Sequence, residues 1–420
     1  MQETVTNRKM KDSGIDWIGE IPEDWDVKTF RHIFIERNEK NTPIKTEERL
    51  SLSIDKGVTL YAEKTTNLDR FKDDFTQYKL AHVGDFVLNS MNMIVGAVGV
   101  SKYYGCISPA YYTYYNKCIE TAYFYEYLFR TKVMNRMLYS LGKGIYAIER
   151  GNDRVNTCRL KVSKDDLKSL KLPFPPQIEQ QKIVSFLNWK CSHIDSVLEK
   201  TRASIDEYKQ LKQSVITKAV TKGIRPNRPM KDSGVEWIGK IPEDWKIAQL
   251  KRFLKSNNGS EIKQEVNKDD NEAIPVYGSG GIFKYTNKFM YSGEVVMFGR
   301  KGTLGKPLYV NDTFWTVDTM YYLNNFNGLI AKYTYYLLVA FDWIPFITQT
   351  ALPSIVSSQI IAQHFPIPSL KEQQEIVLYL DNKCSELDKL ITKKEQLIEE
   401  LETYKKSLIY EYVTGKKEVC

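Results

Sequence analysis

IEQQKIVSFL, at residues 178–187, returns almost unchanged as KEQQEIVLYL at residues 371–380. Glu179 and Glu372 are 193 positions apart, and this offset holds without a gap to the end of both copies. The matched pairs further along are Cys191 and Cys384, Asp195 and Asp388, Ile205 and Ile398, Glu207 and Glu400, and Ser214 and Ser407. The chain therefore contains an internal repeat.

Both copies have the apolar spacing of a long helix. The residues that alternate by three and four are Val184, Leu187, Cys191, Ile194, Leu198, Thr201, Ile205 and Tyr208, and then Val377, Leu380, Cys384, Leu387, Ile391, Lys394, Ile398 and Leu401. This spacing is typical of a coiled-coil seam. Neither copy contains Pro or Gly before its end, and prolines at residues 173–176 and 366–368 block helix upstream.

About 45 residues at ~1.5 Å per residue form a rod of ~68 Å. A single amphipathic rod of that length is poorly stable in water, whereas two on one chain can bury their seams against each other. We therefore expect an antiparallel pair. Two unrelated surface helices are the alternative, and they would have no reason to repeat one seam at a fixed offset.

A second repeat precedes each helix. MKDSGIDWIGEIPEDW at residues 10–25 returns as MKDSGVEWIGKIPEDW at residues 230–245, an offset of 220 positions. Because the helix offset is 193, the second intervening segment is 27 residues shorter than the first. Trp17 and Trp25 flank a turn in this head, and we expect both indoles to anchor it onto a core instead of contacting a ligand.

The heads and helices match closely, while the segments between them barely align. We predict an α+β fold with two mainly β domains joined by two long helices, which form an antiparallel coiled coil with a pseudo-two-fold internal repeat. The predicted parts are a first domain at residues 1–172 with its head at 10–25, a first helix at 173–225, a second domain at 226–365 with its head at 230–245, and a second helix at 366–420. The conserved frame and variable inserts indicate that the two inserts perform different tasks.

Short apolar runs between turn residues predict strands in both inserts. The predicted elements are strands at residues 50–54, 85–89 and 93–100 and a helix at 121–141 in the first insert, and a strand at 293–297 and a helix at 329–341 in the second. Gly84 and Gly293 open what look like equivalent strands that enter two different loops.

Composition restricts the function classes. The formal net charge of +8 permits an anionic partner without requiring one. Six cysteines without zinc spacing, and only four histidines, make a metal site unexpected and favour reduced thiols in a cytoplasmic protein. We find no signal peptide and no run of about 18 apolar residues that would span a membrane.

Catalytic motifs are missing from the sequence. Residues 299–306, GRKGTLGK, superficially suggest a phosphate-binding P-loop, but position 300 is Arg and Lys306 is followed by Pro307. We also find no paired-carboxylate nuclease signature, no Ser/His/Asp arrangement and no methyltransferase cofactor loop. His193 falls on the first helix, where a surface or seam role is expected. We predict that the chain is not an enzyme.

The order and duplication of these motifs resemble the DNA specificity subunit of type I restriction-modification systems over essentially the whole chain. The resemblance rests on tandem Trp-Ile-Gly-x-Ile-Pro-x-x-Trp heads, tandem Glu-Gln-Gln-x-Ile-Val helices and two dissimilar inserts. It implies that each insert is a target-recognition domain that reads one half of a split, asymmetric DNA sequence. It also implies that the paired helices set the spacing between the halves.

The same resemblance implies partners. They are double-stranded DNA, two modification (methyltransferase) subunits and two restriction (motor-nuclease) subunits, with no membrane. We expect no cofactor in this chain, because S-adenosylmethionine, ATP and Mg²⁺ belong to the partner subunits. Two alternatives from other classes are a self-contained DNA methyltransferase or nuclease, and a coiled-coil scaffold for protein ligands.

Loop position selects candidate DNA-contact residues, because Arg bridges guanine edges and backbone N–H groups hold phosphates. The candidates are Asn89, Ser90, Asn92, Lys102, Lys143 and Arg150 in the first domain, and Tyr277, Ser279, Arg300, Lys301 and Thr303 in the second. The Pro-Ser-Ile stretch at residues 353–355 is a further candidate for the second surface. A hairpin with solvated charges is the alternative interpretation of the loop at Arg300.

Overall fold

The computed structural model describes residues 8–64, 74–144, 149–150, 154–155, 160–350 and 352–419, with backbone only at 149–150 and 154–155. The chain forms two compact units. Unit 1 comprises Met1–Glu199 and Ile398–Cys420, and unit 2 comprises Lys200–Leu397. Each long helix contributes to both units, so the units do not coincide with the four predicted parts, whose boundaries stay a prediction.

Unit 1 is built mainly from short strands. They are β1 (Met10–Asp12), β2 (Glu20–Pro22), β3 (Asp26–Thr29), β4 (Ile35–Glu36), β5 (Leu50–Ser53), β6 (Gly57–Leu60), β7 (Lys79–Ala81), β8 (Phe86–Asn89), β9 (Val98–Val100), β10 (Gly105–Ile107), β11 (Tyr111–Tyr115), β12 (Glu149–Arg150), β13 (Arg154–Val155) and β14 (Lys171–Phe174). Its helices are α1 (Phe30–Ile33), α2 (Ile119–Phe129), α3 (Lys132–Leu141), α4 (Lys164–Ser169), the first part of α5 (Gln177–Lys222) and, from Ile398, the end of the second long helix.

Unit 2 has fewer and longer strands. They are β15 (Met230–Asp232), β16 (Lys240–Pro242), β17 (Lys246–Gln249), β18 (Lys255–Asn258), β19 (Ile274–Gly278), β20 (Gly281–Thr286), β21 (Tyr291–Gly299), β22 (Leu308–Thr316), β23 (Met320–Asn324) and β24 (His364–Ile367). Its helices are α6 (Ala331–Ala340), α7 (Ser357–Ile361), the end of α5 and most of α8 (Leu370–Val413).

The frame of each insert closes in the same way. In unit 1 the head forms the β1–β2 hairpin, and β3 pairs with β14 just before α5 begins. In unit 2 the β15–β16 hairpin and the β17–β24 pair repeat this arrangement before α8. The first and last strands of each insert are therefore hydrogen-bonded neighbours, and the chain enters and leaves the insert at one place.

The inserts share a central four-stranded core. The order β4-β11-β8-β9 in unit 1 corresponds to β18-β23-β21-β22 in unit 2, where β19 and β20 extend the sheet to six strands. β8 and β21 occupy the same interior position, as expected from the matching runs at Gly84 and Gly293, although β21 begins two residues before Gly293. Unit 1 instead adds separate two-stranded sheets, β5-β6 and β7-β10.

Two predicted elements differ from the observed ones. The helix expected at residues 121–141 is two helices, α2 and α3, because Thr131 caps α3 by accepting a hydrogen bond from the Met134 N–H. The strand expected at residues 93–100 begins as a 3₁₀ turn at Met93–Val95, and only Val98–Val100 is extended. Apolar content alone did not distinguish the tight turn from the strand.

The long helices pair in opposite directions in each unit. In unit 1 the start of α5 packs against the end of α8, where the Phe186 and Tyr412 ring centroids are 4.6 Å apart. In unit 2 Ile216 and Val220, near the end of α5, share a core with Ile376 and Leu380 at the start of α8. The antiparallel coiled coil predicted from the seam is confirmed.

The predicted seam is buried over most of its length. Its two long polar members meet in unit 2, where the Lys394 ammonium lies 5.7 Å from the centre of the Tyr208 ring. Across the described residues, neither long helix nor any other has an apolar stretch that could cross a bilayer.

Candidate DNA interface

A four-residue constellation fastens the first head to α5. The Trp25 ring is fully buried, and its Nε1 donates a hydrogen bond to Glu179 Oε2 at 2.8 Å. Arg8 bridges Glu179 at 2.5 Å and Asp24 at 2.7 Å. The hydrogen bond to Glu179 raises the pKa of Arg8 above its usual value. We call this arrangement the head latch.

Unit 2 repeats the head latch with equivalent residues. Trp245 is 1% exposed and donates through Nε1 to Glu372 Oε2 at 3.0 Å. Arg228 pairs with Glu372 and, at 2.6 Å, with Asp244. The prediction that both head tryptophans pack onto a core is therefore confirmed, because Trp25 and Trp245 are buried and Trp17 and Trp237 pack, partly buried, against the same cores.

The end of the opposite helix completes each head. In unit 1, Gly415 follows α8 with φ +72°, and a Cβ there would lie 2.4 Å from Pro22 Cδ. In unit 2, Gly223 follows α5 with φ +74°, beside the ring of Trp245. Each head is thus held between the start of one long helix and the end of the other, which fixes the base from which the insert projects.

Asn89 and Ser90 shape a turn in the first insert. The Asn89 side chain accepts hydrogen bonds from the backbone N–H groups of Met91 and Asn92, and the Ser90 carbonyl accepts from the Val162 N–H. Both residues are buried, while Asn92 is exposed. Of these three candidates, only Asn92 presents a side chain to solvent.

The remaining candidates of the first insert are spread out. Lys143 is exposed, pairs with Asp166 at 3.1 Å, and bridges through its backbone to Lys161. Lys102 is also exposed, but it lies beyond the opposite end of the β8–β9 pair from Asn92. Arg150 lies in β12, and its side chain is outside the described part of the structure. Lys102 therefore lies apart from Asn92, whereas Lys143 is linked to the Ser90 turn through Lys161 and its neighbour Val162.

The candidates of the second insert converge. Ser279 Oγ accepts a hydrogen bond from the Thr303 N–H at 3.3 Å, and Lys301 forms a β-bridge with Ser354. The Ile355 N–H donates to the Arg300 carbonyl at 3.0 Å. The β19–β20 turn, the loop after β21 and the Pro-Ser-Ile stretch thus meet, with the Arg300 side chain exposed beside them.

Tyr277 serves packing more than the surface. Its ring lies 6.3 Å from that of Phe314, and burial raises the pKa of its hydroxyl. Two apolar side chains near the same turn, Ile282 and Phe283, are about half exposed and were not singled out from the sequence. The sequence signal that could have identified them is an apolar residue at the tip of a hairpin, where no core is available to bury it.

Three lysines of unit 1, Lys79, Lys161 and Lys164, were also missed, and they lie together with the predicted candidate Lys143. Lys79, Lys143, Lys161 and Lys164 line one cavity of about 540 Å³ together with Tyr112. Burial, followed by the charges of Lys164 and Lys161, lowers the pKa of Lys79. The four lysines span 85 positions of sequence, so no local sequence motif indicates that they lie together. No cluster of metal-ligating side chains occurs among the described residues.

The family profile described as type I restriction modification DNA specificity domain matches residues 22–189 and 242–403. The putative type I restriction enzyme MjaX specificity subunit of Methanocaldococcus jannaschii is 23% identical over 66% of this chain. The MjaVIII specificity subunit of that organism is 24% identical over 61% of this chain. This chain spans 64% of the length of each relative. Both are named as specificity subunits, in agreement with the prediction that this chain is not itself the catalytic subunit.

Two solved structures have the same fold. A chain solved in work on complex assembly and conformational transition of the type I R-M system covers 94% of this chain and 98% of its own length, with a TM-score of 0.70 and 14% identity. The HsdS subunit from Thermoanaerobacter tengcongensis has the same coverage and identity, with a TM-score of 0.52. The profile matches most of the chain and matches it twice, once over the first insert and the start of α5, and once over the second insert and most of α8. This chain belongs to the type I restriction-modification DNA specificity family.

Proposed function

We propose that this chain is the non-catalytic DNA-recognition subunit of a type I restriction-modification complex, and that each insert reads one half of a bipartite, asymmetric target. The observation that carries the proposal is the repeated head latch. Arg8, Trp25 and Glu179 hold the first insert as their equivalents hold the second, although the inserts themselves differ. Two different inserts held by one repeated frame are what recognition of a DNA target with two different halves requires.

The repeated frame also supports the proposed partners. Two similar frames on one chain offer two similar surfaces, on which two copies of one methyltransferase subunit can dock. Motor-nuclease subunits complete the complex when DNA is cleaved. S-adenosylmethionine, ATP and Mg²⁺ act in these partners, and adenine methylation and DNA restriction are performed there. A cytoplasmic location, with the cell's DNA, is part of the proposal.

Arg300 provides the sharpest test of the reader assignment. The change Arg300→Ala should relax one position of one half-site, because a lost bidentate base contact costs about 1–3 kcal/mol. The measurement is genome-wide mapping of methylated adenines by long-read sequencing in cells that express the variant with its modification subunit. Lys288→Ala, also exposed in unit 2, is the matched control. Changes in both half-sites, or in neither, would contradict the assignment of this loop.

Helix length provides the test of the spacing. Seven residues inserted between Ala203 and Ser204, and seven between Gln396 and Leu397, preserve the heptad and use positions that are equivalent under the 193-residue offset. The insertion adds ~10.5 Å to each helix, or about three base pairs at ~3.4 Å each. We expect methylated sites with a longer non-specific spacer and unchanged half-sites. An unchanged spacer in a folded, active complex would exclude this role of the helices.

A further inference from the structure

The lysine-lined cavity of unit 1 has no role in the frame. Its walls come from β7 at Lys79, from Tyr112 on β11, and from Lys143, Lys161 and Lys164. These elements belong to the first insert, away from the head latch at Trp25. Since the seam and the latch are complete without this cavity, its charges require another explanation.

The positive charges of the cavity are only partly balanced. Lys164 pairs with Glu36, and Lys143 pairs with Asp166 at 3.1 Å. The Lys79 ammonium donates to the Tyr111 carbonyl at 3.1 Å. Among the residues that the structure describes, no carboxylate lies within ion-pair distance of Lys79 or Lys161.

Burial and repulsion act together on Lys79. The lowered pKa of its ammonium arises first from burial and then from the charges of Lys164 and Lys161, and the charge of Glu36 offsets them only in part. Holding like charges together in a half-buried place is unfavourable unless an anion joins them. The main-chain bridge between Lys143 and Lys161 keeps two of these lysines side by side, at hydrogen-bond distances of 2.9 and 3.0 Å. The cavity is thus arranged for a negatively charged group.

We propose that this cavity binds a backbone phosphate of the first DNA half-site, with the amino groups of Lys79 and Lys161 as the principal donors. The assignment rests on the proposed function of the first insert. A tetrahedral phosphate accepts hydrogen bonds from several ammonium groups at once, and a DNA backbone supplies it at fixed spacing. Such a contact positions the domain on DNA without reading a base.

Unit 2 provides an internal comparison. The β7–β10 sheet that carries Lys79 has no counterpart in the sheets of the described part of unit 2. The converging second-insert loops instead present Arg300 beside Lys301. The phosphate contact is therefore specific to the first half-site, and removing it should leave recognition of the second half-site unchanged.

The test uses the chain co-purified with its modification subunit and DNA carrying the target mapped by methylation sequencing. Lys161→Gln removes an exposed ammonium, and Lys79→Gln is the second variant. Lys171→Gln, exposed on β14 at the base of the insert, is the control. We expect Lys161→Gln to weaken binding about tenfold, the value of one hydrogen bond to a charged group. The slope of log affinity against log salt should fall by about one.

Single methylphosphonate substitutions locate the contact. Each one neutralises one phosphate, so the wild-type complex should weaken at one or two positions of the first half-site. The Lys161→Gln complex should show no further weakening there. An unchanged salt slope together with the wild-type methylphosphonate profile would overturn the inference.

Two further outcomes are distinguishable. If inorganic phosphate protects the first insert from hydrogen exchange in a Lys161-dependent manner while DNA binding is unchanged, the cavity binds free phosphate and the DNA assignment is wrong. If the wild-type complex binds no bipartite target, the proposed function itself fails, whatever the variants do.

Discussion

The two head latches consist of equivalent residues that make the same contacts, whereas the two inserts that they hold share a strand order and little else. Trp25 and Trp245 each donate to a glutamate in the first turn of a long helix, and an arginine bridges that glutamate in both units. The inserts instead differ in strand length, in added sheets and in the charged groups they expose. A frame defined by buried, hydrogen-bonded contacts tolerates little change, while loops on a rigid core tolerate much.

Loss of the latch tryptophan should have the largest effect. We expect Trp25→Ala to destabilise unit 1, and Trp245→Ala unit 2, by about 3–5 kcal/mol, because each leaves a large cavity and removes the indole hydrogen bond to the latch glutamate. Hydrogen exchange of β2 and β16 measures the two units separately. Trp189→Ala, at a ring that is 59% exposed, is the control and should have little effect. Equal loss of protection in both units from one change would show that the latches are not local.

Substitution of the latch glutamates should destabilise the two units by different amounts. Glu372 has a side-chain exposure of 4% and Glu179 one of 15%. Removing the glutamate leaves the arginine with only its exposed aspartate partner and the buried indole N–H without its acceptor. Glu372→Ala should therefore cost about 3 kcal/mol and Glu179→Ala about 2 kcal/mol. Chemical denaturation followed by unit-specific exchange measures both, with the exposed Glu199→Ala as control. A larger cost at Glu179 would contradict the ordering by burial.

The glycines after the long helices should also respond unequally. A side chain in the left-handed region costs about 1–2 kcal/mol at either position. Gly415→Ala adds a collision with Pro22 Cδ at 2.4 Å, whereas the nearest atoms to a Cβ at Gly223 are Arg228 Nη1 at 3.2 Å and the Trp245 ring at 3.3 Å. We expect the free energy of unfolding to fall by about 2–3 kcal/mol for Gly415→Ala and by about 1 kcal/mol for Gly223→Ala.

Gly14→Ala isolates the backbone contribution, since φ there is +60° with nothing within 4 Å of the added Cβ. The measurement is the midpoint of thermal unfolding for the three variants. If Gly14→Ala lowered the unfolding midpoint as much as Gly415→Ala, the close approach of α8 to the first head would have no energetic consequence.

The smallest effect concerns acid stability, and only unit 1 should show it. Burial would raise the pKa of Glu36, but Lys164 and Lys168 hold that pKa below its usual value. The folded state therefore gains stability above the ordinary carboxyl pKa and loses it as pH falls through the lowered value. Because the pair is partly exposed, we expect less than about 1 kcal/mol. Glu36→Gln should remove this part of the acid dependence of unit 1. The measurement is denaturation between pH 3 and 6, roughly the range in which carboxyls titrate. Glu20→Gln is the control.

Much of the frame could be predicted because its signals are periodic or repeated. The seam follows from spacing by three and four, and the head follows from a sixteen-residue match that contains Trp25 and Trp245. The partner of each tryptophan was harder to predict. Trp25 and Glu179 are separated by 154 positions, and only folding brings the indole to the carboxylate.

The sequence by itself determined the repeat, the helical pairing and the family, because identical residues at a fixed offset impose the same local structure twice. Tertiary structure alone decided which loops form a surface. It buried Ser90, brought Ser279, Arg300 and Ser354 together, and gathered Lys79 and Lys161 around one cavity. Side chains distant in sequence meet only where strand pairing and core packing place their backbones, and no spacing along the chain encodes that meeting.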